Sequence, residues 1–449
     1  MKNIIIIILV LGLSTLGCKK LINIEAPKDQ LTSNAVFSDT ISATAALVNI
    51  YGQFDKRIEL NLTNTFGLYT DELEITSIDP TTKEFLFSRL TASNSLNETL
   101  WGNFYFTIYS CNDLIERISN SNGISPSKAI IYVAEAKFLR AYCYLYLTNF
   151  YGRIPLVLTT DANLNRSLKQ SDESVVYDQI TRDLIFAQQN LPAQYQGLEK
   201  VRANKWAAAA LLARVYLIMQ NWANAEMESS LVINSGSYLP LDAVDQVFKS
   251  NNKESILQFW TKDGFTGLAS IFVPSSLTSI PVYPVTKLLL DAFETGDLRK
   301  SLWIGESIID QAGTVLSFPN KYKNRLASAS EPEYLIGLRL SEQFLIRAES
   351  RAHLSSLDDA RDDLNIIRRR AGLLNSTANT QIDLLNAIMK ERRCELFCEW
   401  GSRFIDLKRT GSLDAALSYK NTWKPSAKVL PIPQNEITYN HSLIQNPNY

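Results

Sequence analysis

Catalysis needs a poised nucleophile, a caged metal or a pair of carboxyls, and Asp71, Glu72 and Glu74 are close enough in sequence to serve as acid and base on a glycosidic bond. A solvated or hydrogen-bonded turn explains the same trio more simply. The chain has no His-Glu-x-x-His, no Gly-x-Ser-x-Gly and no Gly-x-x-x-x-Gly-Lys, and its only histidines are His353 and His441. A Ser-His-Asp triad therefore has few ways to assemble. Cys394 and Cys398 stand four apart without nearby metal partners, and with Cys111 and Cys143 they read as buried thiols. No calcium loop of the required Asp/Asn spacing occurs, so the sequence does not say whether calcium is bound; no cofactor and no metal-ligating residue is expected. Asp358, Asp359, Asp362 and Asp363, followed by Arg368, Arg369 and Arg370, form a charge gradient that suits the two ends of one helix rather than a substrate.

A different chemistry is written at the N-terminus. Lys2, an apolar run from Ile4 to Leu13 and the small residue Gly17 before Cys18 make an export signal of residues 1–17. An apolar stretch of about ten residues is too short to span a bilayer. Cleavage after Gly17 leaves Cys18 first, where its thiol can take a diacylglycerol and its amine a third acyl chain, so Cys18 is the expected lipidation site. The formal net charge of −1 supplies no basic field for nucleic acid, and none is expected as a partner.

The elements that follow are mainly helical. A polar tether over 18–40 leads to a helical region over 41–254, with Ser38-Asp39-Thr40 offering an N-cap. Apolar three-and-four spacing predicts helices over Ile41–Phe54, Trp101–Ile118, Ala129–Phe150, Ser174–Leu191, Ala203–Met219 and Trp222–Ile233. The stretch 255–330 opens with a strand-like alternation, Ser255 to Trp260, and is then broken by glycine and proline into a loop-rich insert. Over 331–449, helices are expected at Tyr334–Leu354, Leu357–Arg370 and Ile382–Trp400, before a non-helical tail containing Pro425, Pro431, Pro433 and Pro447. A shift of 135 residues lays Ala213, Trp222, Ala225 and Leu231 onto Ala348, Leu357, Ala360 and Ile366, as in tetratricopeptide-type hairpins whose helices meet at small residues. Ala141 and Ala187 suggest a third such pair.

Several motifs carry a resemblance. Leu430-Pro431-Ile432-Pro433-Gln434-Asn435-Glu436-Ile437 with Gln445-Asn446-Pro447-Asn448-Tyr449 resembles the C-terminus of the SusD/RagB family of nutrient-binding lipoproteins. Glu391-Arg392-Arg393, Glu395-Leu396, Glu399, Gly401 and Arg403 to Arg409 are similar to a second family block. Ala134 to Tyr142, Tyr151 to Leu156, Thr70-Asp71-Glu72 and Leu338 to Glu342 extend the likeness in the family's order. Physically these motifs read as structural. Arg392, Glu395, Glu399 and Arg403 sit at helical spacing where opposite charges can pair along one face, and Asn448 tolerates a left-handed turn in a proline-stiffened strap.

The resemblance implies a mostly α, SusD-like fold: tetratricopeptide-type hairpins, an irregular insert and a few short strands. It also implies capture without catalysis of an oligosaccharide or other nutrient, and delivery to a SusC-type TonB-dependent outer-membrane transporter. The expected location is the outer membrane, lipid-anchored, at the cell surface, with the periplasmic face as the alternative. Sugars present flat C–H faces to aromatic rings and hydroxyls to amides and guanidinium groups. In the insert, Trp303, Tyr283, Trp260, Phe265 and Tyr322 are the candidate ligand contacts, and outside it Phe87 and Arg89. Trp101, Trp206 and Trp222 lie on helical faces and are expected in the core. Two rival functions remain: a lipoprotein glycoside hydrolase, or a tetratricopeptide scaffold that binds only proteins.

Overall fold

Alanines at close helix contacts set the frame. In the computed structural model, which describes residues 37, 39–197, 199–327 and 330–449, the helices Lys205–Ile218 and Trp222–Asn234 form one antiparallel pair, and Leu340–His353 with Leu357–Arg370 another. Ala213, Ala225, Ala348 and Ala360 are all fully buried, because only a methyl group fits where two backbones approach so closely. Pro126–Tyr151 and Glu173–Asn190 make a third pair, with Ala141 and Ala187 buried in the same way. The pairs stack in chain order, Glu173–Asn190 against Lys205–Ile218 and Trp222–Asn234 against Leu340–His353. At the second of these junctions the rings of Trp222 and His353 lie face to face, with centroids 3.8 Å apart. Residues 1–17 and Cys18 lie outside the described residues.

The structure differs from the expected elements at four places. The first helix, Thr40–Gln53, continues through a π-helical stretch, Phe54–Glu59, into Leu60–Tyr69. That last segment is rich in Asn and Thr, weak helix formers, and every residue from Leu62 to Tyr69 is buried, so tertiary packing overrides local preference. The run expected as a helix from Tyr334 begins instead as a strand, Leu335–Arg339, paired antiparallel with Ser255–Phe259; helix starts only at Leu340. All five residues of each strand are buried, and a continuous apolar run does not distinguish a buried strand from a buried helix. The helix expected to reach Trp400 is Gln381–Leu396, and Cys398, Trp400 and Gly401 all turn with positive φ. Cys394 and Cys398 therefore do not share a helix. The tail is partly helical, at Ser402–Arg409, Leu413–Leu417 and Gln434–Tyr439, with a 3-10 turn at Pro425–Lys428.

The strap closes over the helices. The Leu430 amide donates to the Phe150 carbonyl (2.8 Å), Asn97 Nδ2 donates to the Pro431 carbonyl (2.9 Å), and Asn446 Nδ2 donates to the carbonyls of Tyr151 and Leu430 (2.8 and 2.7 Å). Asn448 has φ of 69°, the left-handed turn its residue type suggests. The insert adds a hairpin, Ile304–Ile308 with Val315–Pro319, and short helices.

Beneath the insert lies a buried ionic cluster. Glu395 accepts hydrogen bonds from Arg299 (3.0 Å), Arg339 and Arg370, while Glu399 accepts from Arg339 Nη2 (2.9 Å) and Lys321 Nζ (2.5 Å). Arg370 also donates to Glu254 (2.9 Å), and Arg299 pairs with Asp297 (2.8 Å) and Glu391 (2.6 Å). Burial opposes the charge of Glu395, yet Arg370, Arg339 and Arg299 together hold its carboxyl well below its ordinary 4.5. The motif charges thus pair between elements rather than along one helix face: Arg392 reaches Asp406 (2.8 Å) and Arg403 reaches Asp71 (2.8 Å). This cluster joins the strand Leu335–Arg339, the insert and two C-terminal helices into one body.

Candidate functional site

An open cleft forms where the chain around Leu73 meets the insert and the tail. Asp79 caps the short helix Pro80–Leu86 by accepting from the Thr82 amide (2.8 Å), and Pro80 begins it. The helix stops as Ser88 turns to a φ of 50°, which throws the Phe87 ring outward, 42% exposed, with the Arg89 guanidinium 5.6 Å from its centroid. On the insert side, Leu73 bridges Val285, the Glu74 amide donates to the Pro284 carbonyl (2.8 Å), and the Thr286 amide donates to the Glu72 carbonyl (3.0 Å). On the tail side, Tyr419 is 49% exposed and its hydroxyl points to the Thr70 carbonyl (3.4 Å). Burial of that hydroxyl, with the charge of Asp71, pushes it up to about 12. Thr422 fastens the two rims by donating to the Phe87 carbonyl.

The cleft encloses about 710 Å³, and Phe87, Tyr419, Glu74, Lys287 and Asn421 are among the residues around it. Two half-exposed rings with amide, hydroxyl, ammonium and carboxylate groups between them form a surface suited to a solute with flat apolar faces and many hydroxyls. Lys420 lies lower, its Nζ donating to the carbonyls of Leu68 and Tyr69 (2.7 and 2.9 Å), and burial pulls it down to about 7.

The acidic trio sits beneath and beside this cleft. Asp71 accepts from Arg393 (2.7 Å) and twice from Arg403 (2.8 Å each); burial opposes its charge, but the hydrogen bond and charge of Arg403 and the charge of Arg393 keep it below its ordinary value. Both its oxygens are occupied, and neither Asp71 nor Glu72 lines the cleft. Burial, aided by the charge of Asp71, pushes Glu72 from its ordinary 4.5 up to about 7. The folded state then keeps a proton that the unfolded chain releases, so stability falls as pH rises from 4.5 to about 7. In Glu72→Gln that loss should vanish, and urea midpoints at about pH 5 and about pH 7.5 should lie closer together than in the parent. Unchanged spacing of the midpoints contradicts the assignment.

Of the residues expected to touch ligand, only Phe87 lines this cleft, with the Arg89 guanidinium beside its ring but not among the lining residues. Trp260 is 50% exposed at the end of the buried strand, and Phe265 is half-buried. Tyr283 is half-buried on the insert, with its ring edge-on to Phe272 at 5.8 Å and its hydroxyl accepting from Asn64 Nδ2 (3.1 Å). Trp303 and Tyr322 need correction, because both are core residues. Trp303 is 1% exposed, its indole donates to the Val244 carbonyl (2.8 Å), and the Lys321 ammonium lies 4.8 Å from its ring. Tyr322 is buried and its hydroxyl accepts from the Ile336 amide (2.9 Å). Trp303→Phe should cost about 1–3 kcal/mol by leaving the Val244 carbonyl unpaired, with glycan retention unchanged. Lost retention at unchanged stability would return Trp303 to the site.

Tyr419, Lys287 and Asn421 went unrecognised in the sequence. Ser418-Tyr419-Lys420-Asn421 does have the aromatic-and-amide character of a binding loop, but it sits in a stretch whose prolines read as a strap. Among the described residues, no group of three or more His, Cys, Asp or Glu is placed to hold a metal ion, and no helix is long and apolar enough to cross a membrane.

Residues 26–217 match a family model described as starch-binding, associating with the outer membrane, and residues 315–449 match one described as the SusD family. A SusD-like protein of Formosa agariphila is 25% identical over 78% of this chain and 78% of its own. Among solved structures, a laminarin-binding SusD-like protein superposes with a TM-score of 0.80 at 26% identity, covering 92% of this chain and 100% of the other. Surface glycan-binding protein A from Bacteroides fluxus gives 0.76 at 25% identity, with coverage of 92% and 100%.

Proposed function

The chain belongs to the SusD/RagB family, and from that premise we propose that it captures a glycan or related nutrient without cleaving it and hands it to a SusC-type TonB-dependent transporter at the outer membrane. The observation that carries the reading is the cleft of about 710 Å³ between the half-exposed rings of Phe87 and Tyr419, with polar groups spaced between them. The likeness to the laminarin-binding and surface glycan-binding proteins supports a carbohydrate as the solute. Longer glycans would extend from the cleft along the insert toward Tyr283.

Capture without turnover is preferred to hydrolysis because Asp71 and Glu72 are withdrawn from the cleft, which leaves Glu74 as the one member of the acidic trio that lines it, without a second carboxyl from the trio to complete an acid–base pair. Asp71 is saturated by two arginines, and Glu72 is buried and receives the Cys398 amide (3.3 Å). Cys18 is the proposed anchor. A tethered binder works at a high effective concentration beside its transporter, so even a shallow site of modest affinity can feed the pore. The test is affinity electrophoresis of the mature chain through gels holding laminarin or soluble starch, paired with copurification from native outer membranes. Retardation by glycan and recovery with a large β-barrel protein are expected; free migration in every gel, with or without a protein partner, would reject the reading.

A further inference from the structure

Along the helix Ser95–Ser119, Trp101, Tyr105 and Tyr109 follow one another at four-residue spacing and so stand on one face. The series climbs from the core to solvent: Trp101 is buried, Tyr105 half-buried, and Tyr109 50% exposed. The Trp101 and Tyr105 rings lie 4.8 Å apart, and the Tyr105 hydroxyl donates to the Pro155 carbonyl (2.8 Å), which fixes the lower part of the series. Across a cleft of about 390 Å³ stands Tyr439, 80% exposed at the end of the helix Gln434–Tyr439. Among the described residues, neither Tyr109 nor Tyr439 has a hydrogen-bonding or ring-stacking partner. Nothing among the described residues accounts for two large rings left open along one cleft.

The same cleft carries a small set of polar groups. Arg166 is exposed at its edge and forms no ion pair among the described residues. Glu436 is half-buried beside the Trp101 indole, and Asn440 is held in place by donating to the Leu168 carbonyl (2.8 Å). A guanidinium and a carboxylate within one mostly apolar cleft can donate to and accept from sugar hydroxyls. Tyrosine rings fixed by only two torsions lose little freedom on stacking. A lipid tail or an apolar helix would leave the Arg166 guanidinium without an acceptor; sugar hydroxyls supply one.

We propose that this cleft is a second carbohydrate site, in which one or two pyranose units stack against Tyr109 and Tyr439 and bond to Glu436 and Arg166. The inference rests on the glycan-capture reading but names a place that shares no lining residue with the first cleft. The strap separates the two: the Gln434 amide donates to the Ala92 carbonyl (2.8 Å) and Asn435 Nδ2 donates to Glu98 (2.6 Å). A glycan chain held at two such points would leave more slowly than from either alone.

The experiment uses the mature chain and three variants in gels containing laminarin or soluble starch: Tyr109→Ala with Tyr439→Ala, Phe87→Ala with Tyr419→Ala, and all four together. The Tyr109/Tyr439 variant should lose about three- to tenfold in apparent affinity while keeping the parent's melting temperature, and the fourfold variant should migrate as in a glycan-free gel. Retention of the Tyr109/Tyr439 variant equal to the parent's, while the Phe87/Tyr419 variant weakens, would overturn the second site and leave the first standing. A parent that no gel retards would reject the capture reading and this inference together.

Discussion

Replacing Glu395 by alanine should cost the fold about 3–5 kcal/mol, because one deletion takes a shared carboxylate from three buried guanidinium groups, those of Arg299, Arg339 and Arg370, and leaves the interior one negative charge short. The size of the effect comes from the uncompensated positive charge left in the cluster more than from the lost attraction, since Glu391, Glu399 and Glu254 remain but no longer balance the arginines. Exchanging a whole buried ion cluster for apolar residues is often neutral, whereas removing a single partner leaves charge without an answer. Because the folded carboxyl is held well below its ordinary 4.5, its contribution is present above that value and lost as pH falls through the lower folded value. Urea unfolding at neutral pH should show the loss, and the gap between parent and Glu395→Ala should narrow on acidification. A variant as stable as the parent would mean that the cluster does not bind the insert to the helices.

Phe87→Ala combined with Tyr419→Ala should weaken glycan binding about 10- to 100-fold, the effect of removing two stacking surfaces of about 0.5–1.5 kcal/mol each together with their buried area. Both rings are half-exposed, so melting should hardly change. Titration calorimetry with the glycan that retards the parent most measures the change. Equal affinity would move the ligand away from this cleft.

How much could be read from the chain depended on whether the signal was local. Ala213 with Ala225 and Ala348 with Ala360 announce the hairpins because close helix contact permits nothing larger, and Leu357–Arg370 falls within the bounds its charges suggest. Leu335–Arg339 gave no such cue, since five buried residues in a row suit either a strand or a helix. The candidate cleft was legible only at Phe87. Phe87 and Arg89 stand out by side-chain type alone, and the short helix Pro80–Leu86 that precedes the outward Phe87 ring was not legible in the sequence. Trp303 looked equally available in a loop-rich stretch, but its fate is decided by Val244 and Lys321, which reach it from elsewhere in the chain. Tyr419 was hidden for the opposite reason: the prolines after it suggest a strap, whereas the loop that precedes them forms a wall of the cleft.

Withdrawal of Asp71 and Glu72 from the cleft gives the capture reading its sharpest consequence. The most direct measurement is the count of new reducing ends when the purified mature chain stands for a day with the polysaccharide that retards it. The expected result is firm retention with no reducing ends above the protein-free control. Steady release of reducing ends in proportion to protein, abolished by substitution of Asp71 or Glu72, would show that the molecule cuts what it holds.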